Sequence, residues 1–255
     1  MKIIKIFLAI CITSIIIVSA IEFIPDIKYI ASRDKLEDEI MMHDKDEVMA
    51  FIKEGNQTEN SDEKDKNNRY SVSDNEYLDE VPDDHMMSKD VASKYDIKAW
   101  IYIDDKVSEP VKQSSDNKDY LNKSYDGSYS KYGTPFIDCR QTIDDKFVII
   151  YGHNVSRGRL FGNLRYFSNK QYCENIQSIM IAKAPDFKFN LYKICNVAIV
   201  NEDNNIFANY DIHDEIEKNT VVKLNDMEDK QTILLTTCYG KSGTDKRIIV
   251  ALQEW

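Results

Sequence analysis

Thr232-Ile-Leu-Leu-Thr-Thr-Cys238, then Tyr239-Gly-Lys-Ser-Gly-Thr-Asp-Lys246, then Arg247-Ile-Ile-Val-Ala-Leu252: this stretch near the C-terminus decides the fold class. The first run is short, apolar and rich in β-branched residues. That pattern predicts a buried strand rather than a helix. The middle segment carries two glycines and supplies a turn. Arg247 opens the next strand. The reading therefore places Cys238 at a strand end, facing a loop, where a substrate can reach the thiol. A cysteine in mid-strand would be sealed in.

The same texture recurs upstream from Ile97. Short apolar runs cover Ala99 to Ile103, Pro110 to Lys112, Thr134 to Cys139, Phe147 to Tyr151, Ser178 to Ala182, Phe189 to Val200 and Thr220 to Leu224. Polar, turn-rich stretches separate them. Many short strands at such spacing predict a mainly β fold, a closed barrel or a sandwich. Helical patterns interrupt it at Leu160 to Phe167, Lys170 to Asn175 and Asp211 to Lys218. A further helix is predicted at Lys89 to Tyr95, and another around Asp74 to Val81, which Pro82 ends.

The N-terminal part has a different composition. Lys2 and Lys5 precede an apolar stretch from Ile6 to Ile21, which reaches Ile24 with Glu22 as its one charge. A helix needs about 20 such residues to cross a bilayer, and the basic residues before it predict a cytoplasmic N-terminus. Val18-Ser19-Ala20 resembles a signal-peptidase site, but the length and isoleucine content favour an uncleaved anchor. Arg33 to Glu54 shows helical apolar spacing at Leu36, Ile40, Val48 and Phe51. Gly55 to Arg69 holds no apolar residue and predicts a flexible linker. The expected layout is an anchor over 1–24, a juxtamembrane helix and acidic linker over 25–88, and a folded domain over 89–255.

A formal charge of -11 argues against a nucleic-acid partner. The five cysteines, at 11, 139, 173, 195 and 238, contain no CxxC pair. That argues against a zinc site and a thioredoxin-like centre. The acidic residues lack calcium-loop spacing, so neither a metal nor a cofactor is expected. Cys139 and Cys195 alternate with apolar neighbours and are expected to be buried thiols. Cys173 falls in a polar helical stretch.

Of the four histidines, His43, His85 and His213 sit in charged or polar surroundings and are expected at the surface. His153 follows the apolar run Phe147-Val-Ile-Ile-Tyr151 and Gly152, again where a strand emerges into a loop. A cysteine, a histidine and an arginine at strand ends meet the needs of cysteine acyl transfer. The thiolate attacks, the imidazole supplies a proton to the leaving amine, and an untitratable fork of N–H donors steadies the oxyanion. A papain-like protease would carry its cysteine before its histidine, the reverse of the order here.

These residues also carry a resemblance. Leu235-Thr-Thr-Cys238 followed by Arg247-Ile-Ile-Val resembles the cysteine and arginine signature of sortases, and Tyr151-Gly-His-Asn154 resembles their histidine motif. Trp100-Ile-Tyr-Ile103, Asp116-Asn-Lys-Asp-Tyr-Leu121, Tyr132-Gly-Thr-Pro-Phe-Ile-Asp138 and Gly158-Arg-Leu-Phe-Gly-Asn-Leu-Arg-Tyr166 resemble segments of class B of that family. The resemblance runs from about Lys89 to Leu252. It implies an eight-stranded sortase-type β-barrel with N-terminal helices and a helix in the loop before the seventh strand. It implies Cys238 as nucleophile, His153 as general acid and Arg247 as oxyanion or peptide ligand. The backbone N–H of Tyr239 would be a second oxyanion donor, and Asn117, Leu121, Tyr151, Ile206, Phe207 and Thr236 would line the peptide groove. The implied activity is transpeptidation: cleavage of a C-terminal sorting motif of secreted proteins after threonine, with transfer of the acyl group to a cell-wall precursor amine. The implied location is the outer face of the cell membrane. Two alternatives are a pilin-polymerising sortase and a non-catalytic binding module on the same barrel.

Overall fold

The run that ends at Cys238 is a strand buried along nearly its whole length, β8 (Thr232–Cys238). The computed structural model describes residue 24 and residues 26–41, 87–104, 106–176, 178–208, 211–240 and 243–255. The apolar run over residues 1–23, the linker and the helix expected around Asp74 to Val81 lie outside the described residues, as does the second half of the helix expected over Arg33 to Glu54. Residues 26–40 are helical, so the described part of that helix starts earlier than its apolar spacing indicates. Among the described residues no helix is long and apolar enough to cross a membrane. Residues 1–39 and 40–255 form two compact units.

Among the described residues, nine strands make up the sheet of the second unit. They are β1 (Ala99–Ile103), β2 (Val107–Gln113), β3 (Phe136–Ile137), β4 (Phe147–Tyr151), β5 (Ile179–Lys183), β6 (Phe189–Asn201), β7 (Thr220–Lys223), β8, and β9 (Lys246–Glu254). The sheet runs β5-β1-β2-β3-β4-β8-β9-β6-β7, and a further β5–β6 pairing closes it. Eight strands therefore form a closed mixed barrel. The ninth, β7, hangs on the second half of the long β6, at Asn196 to Ala198, beyond the part that pairs with β5. Each apolar run read from the sequence coincides with one of these strands. The expected eight-stranded barrel is present, with the helix Ile212–Lys218 before β7.

Side-chain alternation explains why β4, β8 and β9 read as continuous apolar runs. Val148, Ile150, Ile233, Leu235, Ile248 and Val250 fill the barrel interior. Their neighbours Ile149, Leu234, Ile249 and Ala251 face outward, yet are buried under Ile206, Ile212 and Ile216 of the segment that follows β6. Both faces are covered at these positions, so the residues there are apolar on either side. Burying one such isoleucine or leucine contributes about 1.5–3 kcal/mol, enough to hold the helix Ile212–Lys218 against the barrel wall. This helical cover stops short of the strand ends, and there the outer face opens into a groove.

Candidate active site

Strand register assembles the site. β4 and β8 run parallel with Tyr151 opposite Thr236, and Gly152 N–H donates to Thr236 O at 3.1 Å. Two residues beyond that pair lie His153 and Cys238. β8 and β9 run antiparallel with Cys238 opposite Arg247. Histidine, cysteine and arginine thus occupy one rim of the barrel on adjacent strands, with the cysteine in the middle. The period of two puts Thr236 and Cys238 on one face of β8, the outer one. Together with Asn117, Leu121, Tyr151 and Phe207, the three rim residues line one cavity of about 550 Å³. Phe136, Gly152, Glu202, Asp203, Thr236 and Thr237 complete its walls.

Each rim residue is held by specific contacts. His153 Nε2 lies 3.0 Å from Leu121 O. A carbonyl only accepts, so Nε2 carries a proton, and Nδ1 is the ring nitrogen left for chemistry. Asn154 Nδ2 donates to Cys238 O at 2.9 Å, tying the loop after β4 to the end of β8. Arg247 donates from Nη1 to Thr244 O and Lys246 O, both at 3.0 Å, and from Nη2 to Glu202 Oε2 at 2.5 Å. Thr236 is 1% exposed, and among the described residues its hydroxyl has no hydrogen-bond partner. It is a free polar group in the cavity wall, two residues from the thiol.

The wall opposite β8 is organised by a buried carboxylate that the sequence reading missed. Asp138, fully buried, accepts from Asn117 Nδ2 (3.2 Å), Tyr151 Oη (2.9 Å), and the Arg140 N–H, Nε and Nη2 (3.0, 2.8 and 2.7 Å). Arg140 Nη2 also donates to Phe207 O at 2.5 Å, and Asn117 Oδ1 accepts from the Cys139 N–H at 2.7 Å. Asp138 therefore joins three groove residues: Asn117 and Tyr151 directly, Phe207 through Arg140. Burial alone would raise its pKa. The Arg140 guanidinium and N–H and the Tyr151 hydroxyl outweigh burial and hold the carboxyl below its ordinary value. Burial, with the neighbouring Asp138 charge, raises the Tyr151 phenol in turn, so it stays a donor.

Two expected site residues sit differently. Ile206 is fully buried in the apolar cluster under the helix Ile212–Lys218, so it supports Phe207 from beneath rather than facing the cavity. The Tyr239 N–H donates to Lys246 O at 2.9 Å as part of the β8–β9 hairpin, and its hydroxyl donates to Ser168 Oγ at 3.2 Å. The other cysteines also depart in part from expectation. Cys139 is half-buried, and Cys173 is buried in its helix, where its thiol donates to Phe167 O. Cys195 is buried as expected. Burial pushes the thiol of Cys173 up to about 12 and that of Cys195 up to about 11. Both are poor nucleophiles at neutral pH.

The segment bearing Leu121 depends on one glycine. Gly133 has φ +67°, and a Cβ there would lie 2.2 Å from Tyr120 O and 2.7 Å from Leu121 O. Thr134 N–H also donates to Tyr120 O at 3.0 Å. Gly133→Ala is expected to cost about 1–3 kcal/mol of stability through clash and backbone strain. Because Leu121 O orients His153, turnover should fall with it. Urea unfolding together with peptide cleavage checks this; a variant unchanged in both would show that the segment relaxes freely.

Similarity to known proteins agrees with this geometry. The Sortase domain family matches residues 106–254, more than half of the 255-residue chain. The chain is a member of the sortase family. Among curated relatives it is 35% identical over 100 residues to Sortase B of Listeria monocytogenes serovar 1/2a, a match covering 38% of each chain. It is 26% identical over 171 residues to Sortase B of Staphylococcus aureus, covering 61% of this chain and 68% of that one. The chain thus spans about two fifths of the first relative's length in that match. The crystal structure of Clostridium perfringens sortase B superposes with a TM-score of 0.56 at 22% identity, covering 66% of this chain and 100% of that one. The relatives are class B sortases, and the shared fold is the barrel described above.

Proposed function

We propose that this sortase is a cysteine transpeptidase that cuts a sorting-motif peptide and passes its acyl group to an amine through a thioester on Cys238. The observation that carries the reading is the parallel β4–β8 register, which brings His153 beside Cys238 while β9 supplies Arg247 on the other side. An extended peptide lies in the groove and borrows the unpartnered Thr236 hydroxyl. The Cys238 thiol passes its proton to His153 Nδ1, and sulfur attacks the carbonyl carbon of the motif's threonine. Arg247 stabilises the oxyanion. The tetrahedral intermediate collapses with cleavage of the C–N bond, and His153 returns the proton to the leaving amine. An amine of a cell-wall precursor then attacks the thioester, with His153 accepting its proton, and frees the thiol.

Of the four described cysteines, Cys173 and Cys195 have thiols suppressed by burial, and of the other two, Cys139 and Cys238, it is Cys238 that lines the groove and serves as its nucleophile. The oxyanion role falls first to Arg247, because the Tyr239 N–H is occupied by Lys246 O and serves only if the hairpin opens. The apolar run over residues 6–21 is proposed to anchor the chain, with the barrel outside the cell. There the secreted substrate and a lipid-linked amine meet it.

The test is a library of threonine-containing sorting peptides incubated with the full-length protein, with intact-mass and peptide-level mass spectrometry. The expected result is one acyl adduct, on Cys238, that disappears when an amine is added and yields the ligated product. A binding module would return unmodified protein throughout, and that outcome would sink the proposal.

A further inference from the structure

Glu202 is the first residue after β6, and it stands in the groove wall beside the rim residues. It fastens to the β8–β9 hairpin at two points. Its N–H donates to Asp245 O at 2.7 Å, and its carboxylate takes Arg247 Nη2 at 2.5 Å. The side chain of Arg247 is 22% exposed, and that of Glu202 is 57% exposed. A guanidinium carries five N–H groups. Three are used here, by Glu202 and by the carbonyls of Thr244 and Lys246. Among the described residues the remaining two have no partner, which leaves them for a ligand. Those two carbonyls belong to the arginine's own turn. Among the described residues, Glu202 is the one partner that comes from a different part of the chain.

We propose that Glu202 is the positioning residue of Arg247, holding its guanidinium so that the unused N–H groups are set for the oxyanion before substrate arrives. The inference rests on the acyl-transfer reading above. A free arginine side chain samples many rotamers and would have to be ordered in each turnover. A carboxylate on one Nη fixes the plane of the fork in advance. The backbone clasp to Asp245 keeps the carboxylate in range, because it anchors the residue that carries it to the turn just before the arginine. Glu202 touches no reacting atom. Its effect passes entirely through Arg247, so it should vanish when Arg247 is absent.

A double-mutant cycle on the full-length protein tests this, using single-turnover acylation of Cys238 by a sorting peptide so that slow variants stay measurable. Glu202→Ala is expected to lower the acylation rate about fivefold, the scale of a half-exposed ion pair, with KM for the peptide within about twofold of wild type. Glu202→Gln keeps an acceptor without the charge and should fall between the two. In an Arg247→Ala background, Glu202→Ala should add nothing. Iodoacetamide should alkylate Cys238 at the same rate in wild type and both Glu202 variants, because that reaction needs no oxyanion donor and Arg247 stays in place. If Glu202→Ala matches wild type, or costs the same factor with Arg247 already gone, Glu202 is not positioning it and the proposal falls alone. If Arg247→Ala itself acylates at the wild-type rate, both the proposal and the assignment of Arg247 fall.

Discussion

Cys238→Ala is expected to lose at least about 10⁴-fold in peptide cleavage, the order seen when an acyl-transfer enzyme loses its nucleophile. Its folding stability should stay within about 1 kcal/mol of wild type. Two features separate the effects. Cys238 closes β8 at the rim and is only half-buried, so removing its sulfur leaves a groove rather than a sealed cavity. Its backbone contributions, the carbonyl that Asn154 grips and the pairing with Arg247, survive the substitution. Circular dichroism and thermal unfolding alongside the cleavage assay make the measurement. Cys173→Ala gives the opposite pattern, because that thiol is buried and bonded to Phe167 O: reduced stability with turnover retained in the folded fraction. Cleavage by Cys238→Ala at a substantial fraction of the wild-type rate would remove the thioester mechanism altogether.

Much of this arrangement is legible in the sequence, for a physical reason. The strands that carry the site are covered on both faces, so Phe147 to Tyr151 and Thr232 to Cys238 stand out as uninterrupted apolar runs, and their ends fall where polarity returns. Local pattern does not reveal which strands become neighbours. The parallel pairing of β4 with β8 joins residues more than eighty positions apart, and only the resemblance to a known family anticipated that meeting. The missed features share this non-local character. Asp138 and Arg140 read as two ordinary charges at a strand end. Their importance comes from Asn117, Tyr151 and Phe207, contributed by three other segments. Ile206 and Phe207 are equally apolar and adjacent, and the 3-10 turn over Asn205–Ala208 decides which is buried and which lines the groove. β7 carries one buried residue in four, which fits a strand attached to the barrel beside its closed ring.

The buried carboxylate gives the second large expected effect. Asp138→Asn removes one charge and keeps the shape. The Arg140 guanidinium then loses its counter-ion, and an amide NH₂ faces donors that had met an acceptor. Breaking a fully buried pair costs about 3–5 kcal/mol. The Arg140 side chain is 45% exposed and regains water, so about 2–3 kcal/mol is expected here. The loss should depend on pH, and the sign follows from the carboxyl being held below its ordinary value in the folded state. A depressed folded pKa stabilises the fold above the unfolded value of about 3.9, and that stabilisation disappears as pH falls through the lower, folded value. Urea unfolding at a series of pH values should therefore show a constant gap between wild type and Asp138→Asn from about pH 5 upward. Below about pH 4 the gap should narrow, as wild type takes up the proton that makes it resemble the amide. A gap that stays constant on acidification would mean that Asp138 acts by shape alone. The groove should respond as well: Asn117, Tyr151 and Phe207 lose their common anchor, so KM for the peptide is expected to rise more than kcat falls. The alkylation rate of Cys238, which needs no groove, should stay where it was.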